Sequence, residues 1–302
     1  MENLCNICPR KCNVDRVTKL GFCKAGNNIK ISKVMLHYFE EPPISGVDTP
    51  EQKANGSGTI FFSSCNLGCV YCQNSDISSK CQGKEVSIQT FIDIMKQLEN
   101  AGANNINMVT PTHYTLQILE ALKIYKPKIP IVWNTSGYEN PETIKLLNGY
   151  VDIFLTDFKY FDSNLSKKYS FAENYPENCK KAILEMRKIS PNDIFENGLM
   201  KKGIIIRHLV LPNQVKDSEK IIDWINENLG NKTFISLMSQ YTPVYKAQNY
   251  TEINRKIKPI EYKILVKKLE NLNFTNAFLQ DFSSANSIYT PDFNSADSNF
   301  NF

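Results

Sequence analysis

From residue 58 onward the hydrophobic positions fall into two alternating kinds of run. Short segments are apolar at mostly consecutive positions: GTIFFSS (58–64), NINMV (105–109), IPIVWN (129–134), VDIFLTD (151–157), GIIIRHLVL (203–211) and KTFISLMS (232–239). Runs of this length, rich in β-branched residues, read as strands covered on both faces. Between them the apolar residues spread to helical spacing: Phe91, Ile94, Met95, Leu98 and Ala101, then Leu116, Leu119 and Leu122, then Ile221, Trp224, Ile225 and Leu229. That is the period of a helix with one buried face, and Asp217 or Ser218 stands where it would cap the last of them. Six strand–helix units predict an α/β protein with parallel strands, either a partial (β/α)6 TIM-like barrel or an open doubly wound sheet. In both, a ligand binds at the carboxyl ends of the strands.

The alternation is absent elsewhere. Residues 1–35 are rich in cysteine and poor in apolar periodicity, so they read as a small metal-binding module. Residues 36–57 read as a connector, because EEPPISGVDTPEQKANGSG (40–58) is dense in Pro, Gly and polar groups. The strand–helix core is expected over 58–290, and the polar tail 291–302 is expected to fray.

Composition narrows the function classes. With 42% hydrophobic residues in 302, the chain has ample material for a core. The net charge of +4 comes from 35 basic and 31 acidic residues, and Lys-rich spots such as KKAILEMRK and VKKLENL mix with apolar positions. They read as solvated helix faces, which argues against a nucleic-acid partner. No apolar run approaches the roughly 20 residues of a membrane span, and MENLCNICPRKC has no apolar signal core. The expectation is a cytoplasmic protein without a membrane partner. In a reducing compartment disulfides are rare, and an odd total of nine cysteines fits a disulfide framework poorly, so clustered cysteines point to metal.

Two clusters stand out. Cys65, Cys69 and Cys72 directly follow the first strand, at the ligand-binding end of the expected sheet. A structural zinc site takes four ligands, whereas a cuboidal iron–sulfur cluster takes one thiolate per iron, so three thiolates leave one iron open. A zinc knuckle or a set of inert thiols is the blander alternative. Cys5-x2-Cys8-x3-Cys12-x10-Cys23 is a full four-ligand set, compatible with zinc or with an auxiliary iron–sulfur cluster. Cys81 and Cys179 are isolated and read as ordinary free cysteines.

The strand ends carry charge. Alternation puts Asp157 and Lys159 on one side with Phe158 opposite, an arrangement that holds a zwitterionic ligand or forms a plain ion pair. Arg207 interrupts an apolar strand, where an unpaired charge is costly. His113 reads either as structural or as a residue serving a substrate.

The stretch Cys65-x3-Cys69-x2-Cys72, with Tyr71 before the last cysteine, resembles the signature of radical S-adenosylmethionine (SAM) enzymes. CPRKC, EEPPISG, FFSSCNLGCVYCQN, VTPTHY, NTSGY, DFKYFD, IRHLVLP and LMSQYTP together resemble the PflX group, which is similar to the activating enzymes of pyruvate formate-lyase. The resemblance implies a radical SAM-type partial barrel with a 4Fe-4S cluster on Cys65, Cys69 and Cys72. SAM then chelates the open iron, and an external reductant such as flavodoxin or ferredoxin drives formation of a 5′-deoxyadenosyl radical. The hydrogen donor it implies is a glycine of a glycyl-radical protein; another peptide or a small molecule is the related alternative. For the SAM pocket it implies Tyr71 beside adenine, Asn134 and Thr135 at the position of an Asp-Thr pair, Asp157 and Lys159 near the SAM carboxylate, and Arg207 facing SAM. Thr110 and Thr112 stand where activating enzymes carry a Gly-Gly-Glu segment for the SAM ammonium, and Tyr241 stands where they carry a His. A non-catalytic electron carrier or binding protein is the rival from another class, and charged groups at several strand ends weigh against it.

Overall fold

The computed structural model describes residues 4–46 and 55–280 together with Phe293. In chain order its elements begin β1 (Ile29–His37), α1 (Pro42–Ser45), β2 (Ser57–Phe62), α2 (Ser75–Ser78), β3 (Lys84–Val86), α3 (Ile88–Asn100), β4 (Ile106–Val109), α4 (Thr115–Ile124) and β5 (Ile131–Thr135). They continue α5 (Pro141–Leu146), β6 (Ile153–Asp157), α6 (Ser163–Ser170), α7 (Tyr175–Ile189), β7 (Ile194–Glu196), β8 (Leu199–Leu209), α8 (Val215–Leu229), β9 (Phe234–Met238), α9 (Pro259–Asn271) and β10 (Ala277–Leu279). The apolar runs read from the sequence are β2, β4, β5, β6, β8 and β9. They lie side by side in that order and pair in parallel, and β10 extends the parallel run beyond β9. β1 and β3 add antiparallel strands at the other edge, and β7 pairs with β8. The molecule is thus α/β with a mostly parallel sheet.

Alternation along these strands sorts side chains into two layers. Val132, Ile153, Leu155 and Ile205 form a small inner cluster with Ile44 and Met200. Their neighbours Trp133, Phe154, Ile204 and Ile206 face the other way, into the larger core shared with the helices. Both faces of the central strands are therefore dry, which is why their sequences are continuously apolar.

Ile44 belongs to α1, inside the stretch expected to be a connector. Instead of merely linking, α1 sits across the amino ends of the strands: Asn104 donates to the Ser45 carbonyl (2.9 Å) and Asn105 to that of Ile44 (2.8 Å). β1 likewise crosses the expected boundary at residue 35. Its register with β2 shifts between Ile31 and Lys33, and that irregularity interrupts the alternation that would have marked a strand.

Two helix details differ from expectation. Leu116 is exposed, and α4 buries Ile118, Leu119, Ala121 and Leu122, because Leu116 points about a third of a turn away from that stripe. Neither Asp217 nor Ser218 caps α8, whose N-cap position is Gln214. Asp217 instead accepts the backbone N–H groups of Phe161 (2.9 Å) and Asp162 (2.8 Å), and Ser218 bonds His208 Nε2 (2.8 Å). They fasten α8 to the loop after β6 and to β8. The expected tail 291–302 lies outside the described residues apart from Phe293, whose ring meets Phe61 edge-on at 5.4 Å. Among the described residues no helix is long and apolar enough to cross a membrane.

Candidate active site at the carboxyl ends of the strands

β2 ends at Phe62, and Ser64 then turns the chain with a φ of +80°. This launches the loop from Cys65 to Cys72 over the inner face of the sheet. Thr110, just past β4, also adopts a left-handed φ of +59°, a costly conformation for a β-branched residue. Its N–H donates to the Asn134 carbonyl at 2.8 Å, so its backbone is fixed beside β5. Both strained residues border one cavity of about 670 Å³ that Cys65, Cys69, Cys72, Asp157, Lys159 and Arg207 also line.

Each thiol has a polar neighbour. The Leu67 N–H donates to Cys65 Sγ (3.4 Å), the Ser170 hydroxyl to Cys69 Sγ (3.0 Å), and Cys72 Sγ shares a hydrogen bond with Ser78 Oγ (3.2 Å). Tyr71, Tyr160 and Ser170 extend the contact at Cys69 into a chain, with O···O separations of 2.5 Å and 2.7 Å. Burial pushes the Cys72 thiol up to about 11 and raises those of Cys65 and Cys69 as well. Left alone these are neutral thiols; an electrophilic metal is what displaces such protons.

Opposite the loop, Asp157 Oδ2 and Lys159 Nζ are 2.5 Å apart and share the cavity, while Phe158 packs behind them edge-on to Trp224. Burial opposes the charge on Lys159, but Asp157 and the Cys69 sulfur hold its ammonium well above the usual range. Deeper in the cavity Arg207 binds both carboxylates of the connector: its Nε meets Glu41 Oε1 at 2.8 Å and its Nη2 meets Glu40 and Glu41. Glu40 also accepts from Asn107 (2.9 Å) and Asn134 (3.4 Å). Burial would raise the Glu41 carboxyl, yet the Arg207 guanidinium takes it below its ordinary value. The floor of the cavity is therefore a saturated ionic layer resting on Ile44 and its apolar neighbours.

The profile of the radical SAM superfamily matches residues 59–225, which span the strand β2, the three-cysteine loop and most of the sheet. The chain belongs to that superfamily. An uncharacterized protein of Methanocaldococcus jannaschii, MJ0674, is 34% identical over 276 residues, with 88% of this chain and 73% of that protein covered. Streptococcus suis SuiB, solved alone and bound to the precursor peptide SuiA, superposes with a TM-score of 0.50 at 16% identity over 73% of this chain. The chain spans 48% of SuiB's length, and at that identity the likeness is one of fold. Radical SAM enzymes work with a 4Fe-4S cluster, SAM, an external reductant and a substrate. The donor set here fits: three thiols of one loop and the charged ends of β6 and β8 face a common space.

Of the residues expected at a radical SAM pocket, Tyr71, Thr110, Asn134, Thr135, Asp157, Lys159 and Arg207 all border the cavity, and Tyr241 stands edge-on to Tyr71 at 5.7 Å. Thr112 does not. Its hydroxyl points into the core and donates to Glu139 Oε1 (2.6 Å), as do Thr135 Oγ1 (2.6 Å) and the Trp133 indole (3.3 Å). His113 is also elsewhere, beside a second, small cavity lined by Cys5, Cys8, Cys12 and Cys23. Glu40 and Glu41 line the cavity and were not singled out by the sequence reading. The cost of leaving Arg207 unpaired was a signal for them, since it demanded a carboxylate without saying which.

Proposed function

We propose that the chain reductively cleaves SAM at a 4Fe-4S cluster held by Cys65, Cys69 and Cys72, and that the radical so formed takes hydrogen from a glycine of a partner protein. Cleavage is carried by one observation: the three cysteines and the Asp157–Lys159 pair share a single cavity. When bound, the cluster supplies the electron that breaks the sulfonium bond to C5′, leaving methionine and a deoxyadenosyl radical that ends as 5′-deoxyadenosine. The electron originates in a one-electron reductant of the flavodoxin or ferredoxin class. The chain's own residues bind and orient. Lys159 offers an ammonium to the SAM carboxylate, Asp157 accepts from its amino group, and the Tyr71 ring supplies an apolar wall for adenine. Thr110, Asn134, Thr135 and Arg207 complete the polar lining. Cys5, Cys8, Cys12 and Cys23 form a second metal site, and the reducing cytoplasm is the setting in which all of these thiols stay free.

The glycine half is supported by the short motifs that resemble activating enzymes of glycyl-radical proteins. The segment Thr110-Pro111-Thr112-His113, which departs from their Gly-Gly-Glu, favours a second reading in which another peptide or a small molecule is modified. SuiB, bound to its precursor peptide, is a protein of the same fold that meets a peptide.

Anaerobic reconstitution, dithionite reduction and addition of SAM test the first half. Intact protein is expected to yield 5′-deoxyadenosine and the Cys65→Ala/Cys69→Ala/Cys72→Ala variant none; equal yields overturn cleavage at this loop. For the second half, the enzyme mixed with glycyl-radical proteins is expected to raise a stable protein-centred signal in electron paramagnetic resonance. Nucleoside without such a signal from any of them overturns the glycine assignment and leaves cleavage standing.

A further inference from the structure

The C-terminal turn of α6 is folded against the three-cysteine loop. The Gly68 N–H donates to the Ser170 carbonyl (3.3 Å) and the Val70 N–H to that of Tyr169 (2.8 Å), so the loop is held on both sides of Cys69. The helix stops where this contact requires it. Phe171, its C-cap, takes a left-handed φ of +54°, and a Cβ on Gly68 would lie 2.9 Å from the Phe171 ring. The close approach leaves the side chain of Ser170, the last residue of α6, bonded to the Cys69 sulfur at 3.0 Å.

From that sulfur the hydrogen bonds lead into the core. Ser170 Oγ lies 2.7 Å from the Tyr160 hydroxyl, which lies 2.5 Å from that of Tyr71. Ser170 and Tyr160 have no solvent exposure, and the two tyrosine rings belong to the apolar core, Tyr160 edge-on to Tyr175 and Tyr71 edge-on to Tyr241. Alanine and phenylalanine would fill these places with no hydroxyls to desolvate, and a buried hydroxyl is costly unless it is bonded. Each hydroxyl has one proton to give. A metal-bound thiolate accepts and cannot donate, so with Cys69 as a ligand the order is fixed: Tyr71 donates to Tyr160, Tyr160 to Ser170, and Ser170 to the sulfur. In that order each link polarises the next, and the last bond is charge-assisted in low-dielectric surroundings. The other two sulfurs have longer contacts, Cys72 with the half-buried Ser78 at 3.2 Å and Cys65 with the Leu67 N–H at 3.4 Å.

We propose that Ser170, with Tyr160 and Tyr71 behind it, raises the reduction potential of the cluster that Cys65, Cys69 and Cys72 hold. The inference rests on the reading that this loop binds a 4Fe-4S cluster, and it adds which side chain sets how readily that cluster takes an electron. Reduction adds negative charge that the sulfurs share, so a donor aimed at one of them stabilises the reduced form more than the oxidised one. Ser170 and Tyr160 stand behind the loop, off the cavity lining, so they act through Cys69 as positioning residues.

The test is a redox titration of full-length protein reconstituted anaerobically. It follows the electron paramagnetic resonance signal that is absent from the Cys65→Ala/Cys69→Ala/Cys72→Ala variant. In Ser170→Ala the midpoint of that signal is expected to fall by about 59 mV, a tenfold less favourable one-electron reduction. Tyr160→Phe keeps the ring and leaves Ser170 in place, and its midpoint is expected to move the same way by less. Ser166→Ala is the control: it removes a buried hydroxyl of the same helix that bonds the Ser163 carbonyl (3.0 Å), and its midpoint is expected to match that of the unmodified chain. An unmoved midpoint in Ser170→Ala, or in Tyr160→Phe where Ser170→Ala holds no iron, overturns the inference and leaves the cluster standing, as does an equal fall in Ser166→Ala. No such signal from the unmodified chain overturns the cluster, and this inference with it.

Discussion

Glu139 has no solvent exposure, and three donors, from Thr112, Thr135 and Trp133, converge on one of its carboxylate oxygens. The other oxygen has no hydrogen-bond partner. Burial pushes the carboxyl up to about 7 in spite of those donors. The native state thus binds a proton more tightly than the unfolded chain, and stability falls as pH rises from about 4.5 through 7. Glu139→Gln removes that loss. Relative to the unmodified chain, its unfolding free energy is expected to rise by roughly 2–3 kcal/mol between pH 4.5 and pH 8, read from urea unfolding at both pH values. A constant difference across that range would show that Glu139 does not titrate there. No sequence pattern announced this residue, because NTSGYEN reads as a loop and its carboxylate is buried only once β4 and β5 lie side by side. Asp157 and Lys159 were legible for the opposite reason: strand alternation alone puts them on one side, and the ion pair forms within a single strand end.

At the scale of elements, what could be read was what depends on local pattern. Strands buried on both faces are apolar throughout, and helices with one buried face repeat every three or four residues, so β2, β4, β5, β6, β8 and β9 and the helices α3, α4 and α8 were plain. β1 was hidden by its irregular register, and α1 by its prolines, which mark a loop in most contexts but here begin a four-residue helix. How closely the elements approach was not legible either. Gly137, at the end of β5, has a φ of +77°, and a Cβ there would lie 2.2 Å from the Asp157 carbonyl oxygen and 2.8 Å from Cys179 Sγ. Gly137→Ala is therefore expected to cost about 2–4 kcal/mol in urea unfolding and to weaken SAM binding by displacing Asp157. Gly149→Ala is the control: its φ is +83° but nothing lies within 4 Å, so only the backbone penalty of about 1–2 kcal/mol applies. Equal losses at the two sites would show that the approach of β5 to β6 is not limiting.

Over the whole molecule, Arg10 makes the densest contact among the described residues between the N-terminal segment and the strand–helix core. Its guanidinium reaches the carbonyls of Asn66, Ser170 and Phe171, with the Asn66 contact at 2.9 Å, and its Cζ lies 3.6 Å from the centre of the Phe22 ring. Asn140 and Thr143 add bonds to the carbonyls of Asn6 (2.9 Å) and Ile7 (2.6 Å) from the far side. Ser170 is also the residue whose hydroxyl donates to Cys69, so Arg10 braces both the backbone of the three-cysteine loop and the element that hydrogen-bonds one of its sulfurs. Such a contact is invisible in sequence, because 56 and 160 residues separate its ends. Removing Arg10 leaves Asn140, Thr143 and the bond from Arg16 to the His113 carbonyl to hold the segment in place but frees the loop. A hydrogen bond from a charged donor contributes about 1.5–3 kcal/mol, so Arg10→Ala is expected to speed amide exchange over residues 65–72 by at least about tenfold. Chelator is expected to strip iron from that loop faster by a similar factor, while exchange in β8 and β9 stays unchanged. Unaltered exchange at 65–72 would mean that Cys65, Cys69 and Cys72 are positioned by the strand–helix core alone, and that the N-terminal segment is a passenger on it.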